Sequence, residues 1–473
     1  MTTASPVCPV SHASPAIAAT PAAPVSWKLG TAPGSFPSLR HPLQMLRSPL
    51  EFLDSLRSSG DLVKVRLGTE WAYFVRHPEL LRQVLLTDPY TFDKGGPFFE
   101  KATSVAGNGI LTCPGKDHAR QRRMMQPLFS RERLVAYATV MREESERVAA
   151  SWRSDQRLEV NKAMSALTLA VTTRTLFSTE APAGVVAEAQ DALIVIFAGL
   201  YQRMIVPVEA VHQLPTASNK RFDQAVKRLP EIIDEIIERY RRAGVDHGDL
   251  LSTLLAARDP ETGEGLSARE LREQVMALFV AGTETTASAL TSVFHLLDKN
   301  PDVERRMLAE IDEVLGGRAP TFEELDKLDY TQRVFSETLR LYPPGWILTR
   351  RTNAATMLGG HPLPPGSTIL FSPYALHRDP EFFPEPERFD PDRWLPERAK
   401  TVPRYAMIPF SAGQRKCMGD TFAMNLATVI LATLAGRFRL RSRRGSKERS
   451  VAKMTLSVET VPMTVEARRH SVS

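Results

Sequence analysis

The stretch from residue 116 to residue 340 constrains this chain most. Its apolar residues recur at helical spacing almost throughout, with no internal repeat and no linker long enough to split it. Such a stretch must bury its apolar stripes helix on helix. Its clearest element begins at Ser267-Ala268-Arg269-Glu270, a capping-box sequence in which the Ser hydroxyl and the Glu carboxylate take up each other's free amide groups. From there the pattern runs to about Lys299, a helix of ~50 Å. Asn300-Pro301 opens the next helix, and Thr321 with Glu324 opens another.

Ahead of this body, Ser48-Pro49 places a capping residue before a proline at the first helical position, and that helix should end near Gly60. Leu62 to Arg66 alternates with period two, and Trp71 to Val75 answers it across Gly68-Thr69-Glu70, which predicts a hairpin. His77-Pro78 opens a helix through about Thr87. Beyond Pro343 the pattern changes. Gly359-Gly360, Pro364-Pro365-Gly366 and further prolines through Pro403 cut the chain into short strands and irregular backbone. A last apolar helix runs from Phe422 to Leu434. The expected fold class is mainly α with small β-sheets.

Composition excludes several classes. With 43% hydrophobic and 24% charged residues the chain as a whole is not disordered. Sixty basic against 54 acidic residues leave a net charge of +6, too mild to suggest nucleic-acid binding. Three cysteines, Cys8, Cys113 and Cys417, exclude a disulfide scaffold and a cysteine-rich zinc module, and suit a reducing cytosol. A membrane-spanning helix needs about 18 or more consecutive apolar residues, and the best run, Ala192 to Tyr201, is far shorter. No Lys or Arg precedes Lys28, so neither a secretory signal nor an Arg-rich transit peptide is expected. The chain reads as soluble and cytoplasmic, with residues 1–38 a disordered Pro/Ala-rich lead-in.

The most informative residues are Phe410-Ser411-Ala412-Gly413-Gln414-Arg415-Lys416-Cys417-Met418-Gly419. Gly413 and Gly419 permit tight turns and the close approach of a flat ligand. Cys417 stands just before an apolar helix, whose positive end, with Arg415 and Lys416 beside it, favours the thiolate. A single thiolate cannot hold zinc, which takes three or four protein ligands. It can serve as the sole protein ligand of haem iron, because the porphyrin supplies four more. A second unusual stretch, Ala281-Gly282-Thr283-Glu284-Thr285-Thr286, lies in the middle of the long helix. Gly and β-branched Thr are poor helix formers, so a groove or a distorted hydrogen bond is expected there. Gly282 also leaves space beside a cofactor. Glu284, among Phe279, Val280 and Ala281, should have a raised pKa through desolvation, which suits proton delivery.

These motifs resemble those of the cytochrome P450 family, the haem-thiolate monooxygenases, and the resemblance extends from about residue 45 to residue 465. It implies a single haem-containing domain of the cytochrome P450 fold over residues 39–473. Haem b (iron protoporphyrin IX) would be the cofactor, with Cys417 as its iron ligand. It also implies that Glu284 and Thr285 form an acid–alcohol pair relaying protons to the dioxygen being activated. Glu337 and Arg340, at i and i+3 on one helix, would join Arg393 in a buried network that pins the loop before the cysteine. Arg388 in Pro386-Glu387-Arg388-Phe389 is the competing candidate for that last position. The haem propionates need cations, and His118 with Arg122 (i and i+4 on one helix face), Arg350 and Arg415 match, while Phe410 and Gly419 complete the cofactor loop. Arg351 is as basic as Arg350.

The substrate pocket would draw on Phe98, Phe99 and Val105, on Ile194 to Met204, on Phe279, Val280 and Ala281, and on Trp346 and Ile347. This lining is almost uncharged, so a small or medium apolar substrate held by shape is expected. The stretches Tyr201 to Pro207 and Gly345 to Arg351 resemble bacterial oxidases of cyclic sesquiterpenes, and a fatty acid, steroid or polyketide fits the same lining. No Gly-x-Gly-x-x-Gly follows a strand, so electrons must come from a separate ferredoxin and ferredoxin reductase. These would dock on Arg120, Arg122, Arg123, Arg415 and Lys416. Two other functions fit the same scaffold: a peroxide-using or isomerising haem-thiolate enzyme, and a non-catalytic haem sensor.

Overall fold

In this computed structural model, residues 26–34, 40–67, 70–87, 89–177, 183–205, 209–443, 449–458 and 462–468 are described. The chain divides into two compact units, Met1–Gly96 with Ser336–Cys417, and Pro97–Phe335 with Met418–Ser473.

The first unit is built on a six-stranded sheet in the order Leu29–Thr31, Leu62–Leu67, Glu70–Val75, Thr368–Phe371, Leu348–Thr352, Phe92–Asp93. The hairpin read from the alternating sequence is there, with Leu62 opposite Val75 and Leu67 opposite Glu70. Its period-two pattern buries Val63, Val65, Ala72 and Phe74. Each such side chain is worth roughly 1.5–3 kcal/mol when withdrawn from water, Ala less. The Glu70–Val75 strand pairs in parallel with Thr368–Phe371, and that strand pairs antiparallel with Leu348–Thr352. Residues along a strand alternate between faces, so Arg350 is buried while Arg351 turns to the Gly366 carbonyl.

Two expectations need correcting here. The predicted lead-in over residues 1–38 lies largely outside the described residues, but Leu29–Thr31 pairs in parallel with Leu62–Lys64. Ordered backbone therefore starts well before Ser48, through main-chain pairing that leaves no side-chain periodicity. The helix after Ser48 is Pro49–Ser55, and it gives way to turns before Gly60. Within this unit the Pro78–Arg82 helix continues as a π-turn, Gln83–Thr87, matching the predicted end.

The second unit is helical, with two small sheets. One has the order Phe438–Ser442, Met463–Ala467, Arg157–Leu158, and the other pairs Ser450–Ala452 with Leu456–Val458. Its axis is the helix Ala268–Lys299, which starts at the predicted capping box. Ser267 Oγ accepts from Glu270 N, and Glu270 Oε2 accepts from Ser267 N at 2.9 Å. The helix is continuous through residues 281–286. The threonines are accommodated by back-bonding, Thr283 Oγ1 to the Phe279 carbonyl at 2.9 Å and Thr285 Oγ1 to the Ala281 carbonyl at 2.7 Å.

Gly282 has a different reason from the one expected. A Cβ there would lie 3.1 Å from both Cγ2 and Oγ1 of Thr172. The glycine lets the long helix approach the Val160–Phe177 helix, and the crossing is closed by Thr168 donating to the Thr283 carbonyl and by Phe279 edge-on to Phe177. Phe279, expected in the pocket wall, is therefore core, 1% exposed. Even the Cβ of an alanine at residue 282 would require Thr172 to give by a few tenths of an ångström.

Candidate active site

In the first unit the cysteine loop is set by its own backbone. Ser411 and Gly413 both adopt positive φ, 59° and 70°. A Cβ on Gly413 would lie 2.0 Å from the Leu85 carbonyl oxygen of the π-turn. Gly413 thus seats the loop on that turn. Gly419 has no such constraint, with φ −94° and only Phe129 at 3.7 Å from a built Cβ, and it caps the Asp420–Ile430 helix. The loop returns on itself where Cys417 N donates to the Phe410 carbonyl at 2.9 Å. Cys417 is exposed at the end of this turn, whereas Cys113 is wholly buried. Cys8 lies outside the described residues. Among the described residues no three His, Cys, Asp or Glu side chains gather to hold a metal. The donor set is one accessible sulfur, which suits a metal that brings its own equatorial ligands.

Arg350 supplies the second mark of the site. It is 3% exposed, donates to the Thr349 carbonyl at 2.8 Å and lies over the Phe371 ring. No carboxylate of the described residues lies within ion-pair distance of it. Burial, reinforced by the nearby Arg415 charge and only partly offset by Asp93, pushes its pKa down to about 10. The guanidinium keeps its charge at neutral pH, so an unanswered cation sits in the protein and fits an anionic propionate. Arg415, also predicted to bind a propionate, pairs with Asp93, and both side chains are buried. An aspartate answering Arg415 was not legible in the sequence, because Asp93 sits far upstream in an edge strand.

The network behind the loop is continuous. Glu337 and Arg340 are fully buried and meet through two bonds, at 2.8 and 2.9 Å. Arg393 Nε reaches the same carboxylate at 3.3 Å, Trp394 Nε1 at 3.0 Å and Asp390 N at 3.1 Å. Arg340 also donates to the carbonyls of His377, Pro386 and Arg388. The side chain of Arg388 pairs with exposed Glu385, so Arg393 is the second arginine of the network.

His377 was missed. Its Nδ1 lies 3.2 Å from the Arg340 carbonyl and its Nε2 accepts from Ile408 N at 2.9 Å. Burial, then the Arg340 charge, lowers its pKa to about 3, so the ring is neutral and joins the network to the strand of chain leading to Cys417. A lone histidine in a Pro-rich stretch carries no sequence signal of that job.

The second unit holds the other predicted residues. His118 is buried on the Gly115–Met125 helix, with half-buried Arg122 one turn on. The docking face expected from Arg120 and Arg123 is compensated: Arg120 pairs with Glu270 and buried Asp259, and Arg123 with Asp259 and Glu261. Neither arginine presents an uncompensated charge. Asp259 and Glu261 lie in the loop after the Leu250–Ala256 helix, and Glu270 lies in the first turn of the long helix.

Glu284 is half-buried, and burial raises its pKa, opposed by a hydrogen bond from Thr455 and by the charge of Lys453. Thr285 is exposed, its hydrogen given to the Ala281 carbonyl, which leaves its oxygen free to accept. Of the pocket candidates in this unit, Phe99 is buried, Val105 and Val280 are half-buried and Ala281 is exposed. Phe98 lies in the Pro97–Ala106 helix, with its side chain outside the described residues. In the first unit Trp346 is buried, its carbonyl accepting from Ser372 Oγ, and Ile347 is half-buried. Among the described residues no helix is long and apolar enough to cross a membrane.

The fold and this donor set define a class. The chain belongs to the cytochrome P450 family, whose family model matches residues 32–467, and it is a haem-binding cytochrome P450 monooxygenase. Among similar proteins, cyclooctat-9-en-7-ol 5-monooxygenase of Streptomyces melanosporofaciens is 50% identical over 88% of this chain and 90% of that protein. Cyclooctatin synthase of the same organism is 49% identical over 93% of this chain and 96% of its own length. Pentalenene oxygenase of Streptomyces avermitilis is 43% identical over 90% and 94%. The crystal structure of the cytochrome P450DA haem domain superposes with a TM-score of 0.84 at 25% identity, covering 94% of this chain and 98% of that one.

Proposed function

We propose that this monooxygenase oxidises a cyclic terpene, a hydrocarbon or its mono-ol, in secondary metabolism. The observation that carries this is the trio of relatives at 43–50% identity, named for cyclooctat-9-en-7-ol, cyclooctatin and pentalenene. The uncharged character of the residues that the family resemblance assigns to the substrate, Phe99, Val105, Val280 and Ala281 in one unit and Trp346 and Ile347 in the other, supports it, because such a substrate is held by shape. Residues 39–473 are read as one catalytic domain, in keeping with the span of the family match. The sparse cysteines suit the cytoplasm.

In this reading the Cys417 thiolate would hold the haem iron, and Arg350, Arg415, His118 and Arg122 would answer the propionates. Bound haem supplies the activation of dioxygen and the oxidation of the C–H bond. One oxygen atom enters the substrate and the other leaves as water, which requires two electrons and two protons. Glu284 keeps a proton more readily than an ordinary glutamate and passes it on. The Thr285 oxygen accepts a hydrogen bond from a water and holds it for that transfer. The Glu337–Arg340–Arg393 network and His377 fix the loop. Electrons come from a ferredoxin and its reductase, and Lys416, beside the ligand, guides the acidic partner.

The test is stoichiometry with candidate terpenes, a ferredoxin, its reductase and NADPH. One dioxygen and one NADPH should be consumed per product in the wild type. In Thr285→Ala the product per NADPH should fall roughly 10-fold or more, with peroxide released and substrate binding unchanged. Product formed from peroxide with no reductant need would establish the peroxide-using alternative. Full coupling in both Thr285→Ala and Glu284→Ala would remove these two residues from the mechanism.

A further inference from the structure

We propose that Thr455, itself anchored by Ser288, is a positioning residue that fixes the Glu284 carboxylate and sets how tightly it holds its proton. The proposal deepens the reading of Glu284 as a proton carrier and rests on it. Thr455 lies in the turn between the strands Ser450–Ala452 and Leu456–Val458, a turn closed by Lys453 N donating to the Thr455 carbonyl at 3.1 Å. Its side chain is turned onto the long helix and is 8% exposed. Thr455 Oγ1 donates to Glu284 Oε1 at 3.3 Å and lies 2.7 Å from Ser288 Oγ.

A hydroxyl has one hydrogen to give. With that of Thr455 committed to the carboxylate, Ser288 must donate its own to Thr455. The order is then Ser288 to Thr455 to Glu284. Ser288 and Glu284 stand one turn apart on the same face of the helix, and Thr455 spans them from outside. The bond favours the ionised carboxylate, so it works against burial, which is the larger influence on Glu284; Lys453 acts in the same direction as Thr455. The helix packed on the other side meets this stretch through Thr168, Thr172 and Phe177, all uncharged. Lys453 and Thr455, both in one short turn, are thus the groups that oppose burial, and the turn controls the proton affinity of a residue on the long helix.

A purely structural hydroxyl pair would stabilise the fold without moving a titration. The experiment therefore reads the titration. Carboxyl-stretch infrared difference spectra of the haem-loaded resting protein, referenced to Glu284→Gln, give the midpoint at which Glu284 ionises. Thr455→Val should raise it by about one pH unit, a tenfold gain in proton affinity. Thr455→Ser should restore the wild-type midpoint, and Ser288→Ala should produce a smaller rise. An unmoved midpoint in Thr455→Val, or no rescue by Ser, overturns the proposal. Should Thr455→Val fail to fold, an unmoved midpoint in Ser288→Ala overturns it. The pH dependence of product per reductant should move in the same order. If the infrared midpoints move while Glu284→Gln keeps full coupling, the positioning stands and the proton-carrier reading falls.

Discussion

Glu337→Ala should be among the most damaging single changes available in this protein. The carboxylate accepts two bonds from Arg340, one from Arg393, one from the Trp394 indole and one from Asp390 N. Its loss leaves two buried guanidiniums without a counter-ion. Breaking one buried pair costs about 3–5 kcal/mol, and an unsatisfied indole N–H adds roughly 1–3 kcal/mol. The donors share one acceptor, so these figures overlap rather than add, and a total of ~5 kcal/mol is expected. That is a third or more of the ~5–15 kcal/mol that holds a typical domain folded. Arg388→Ala is the control, because its partner and its own side chain are 63–70% exposed and such pairs are worth ~0–1 kcal/mol. Urea unfolding followed by far-ultraviolet circular dichroism gives the stability, and pyridine haemochromogen absorbance gives haem per chain. Glu337→Ala within ~1 kcal/mol of wild type with full haem, or Arg388→Ala as damaging as Arg393→Ala, would refute the reasoning.

Cys417→Ala should abolish the red-shifted Soret band of the reduced carbon monoxide complex, while buried Cys113→Ala keeps it; the reverse pattern would move the ligand elsewhere. His377 is held neutral with its pKa at about 3, below the ordinary range near 6.5, so it contributes stability above about pH 6.5 that is lost as pH falls toward 3. The wild type should therefore lose up to about 1.4 kcal/mol per pH unit more than His377→Gln between pH 6 and 4, and equal slopes in urea titrations would reject this. Reduction by ferredoxin should slow as salt rises past the concentration at which screening acts over about 8–10 Å. Lys416→Glu should slow it at low salt without moving the substrate titration, and a salt-independent rate would rule out steering.

Much of this is legible in the sequence, and the reasons are physical. The long helix and its capping box, the hairpin and the cysteine loop all follow from interactions within a few residues, which sequence spacing records. Glu337 and Arg340 are one helical turn apart, whereas the choice of Arg393 over Arg388 is decided only by the contacts each side chain makes. What stayed hidden depends on who arrives from far along the chain. Asp93 on Arg415, Asp259 on Arg120 and Arg123, His377 under Ile408, and Thr455 on Glu284 are all partnerships over long sequence distances. The glycines show the same divide. Gly282 and Gly413 were rightly singled out, but each makes room for protein, Thr172 in one case and the Leu85 carbonyl in the other.

The parallel pairing of Ala72 to Val75 with Thr368 to Phe371 also sets a schedule for synthesis. The hairpin can form as soon as its residues leave the ribosome, but its neighbour strand is encoded roughly 300 residues later. Translation at about 5–20 residues per second leaves the Glu70–Val75 edge waiting ~15–60 s. Closing a loop of that length then costs ~5 kcal/mol of chain entropy before the first cross-strand bond forms. During that interval a row of open amide and carbonyl groups faces solvent, on a strand carrying Trp71, Tyr73 and Phe74. Low growth temperature or a chaperone that covers the N-terminal hairpin should therefore raise the yield of native protein far more than any change near the cysteine loop, which is made late, after its partners Leu85 and Asp93.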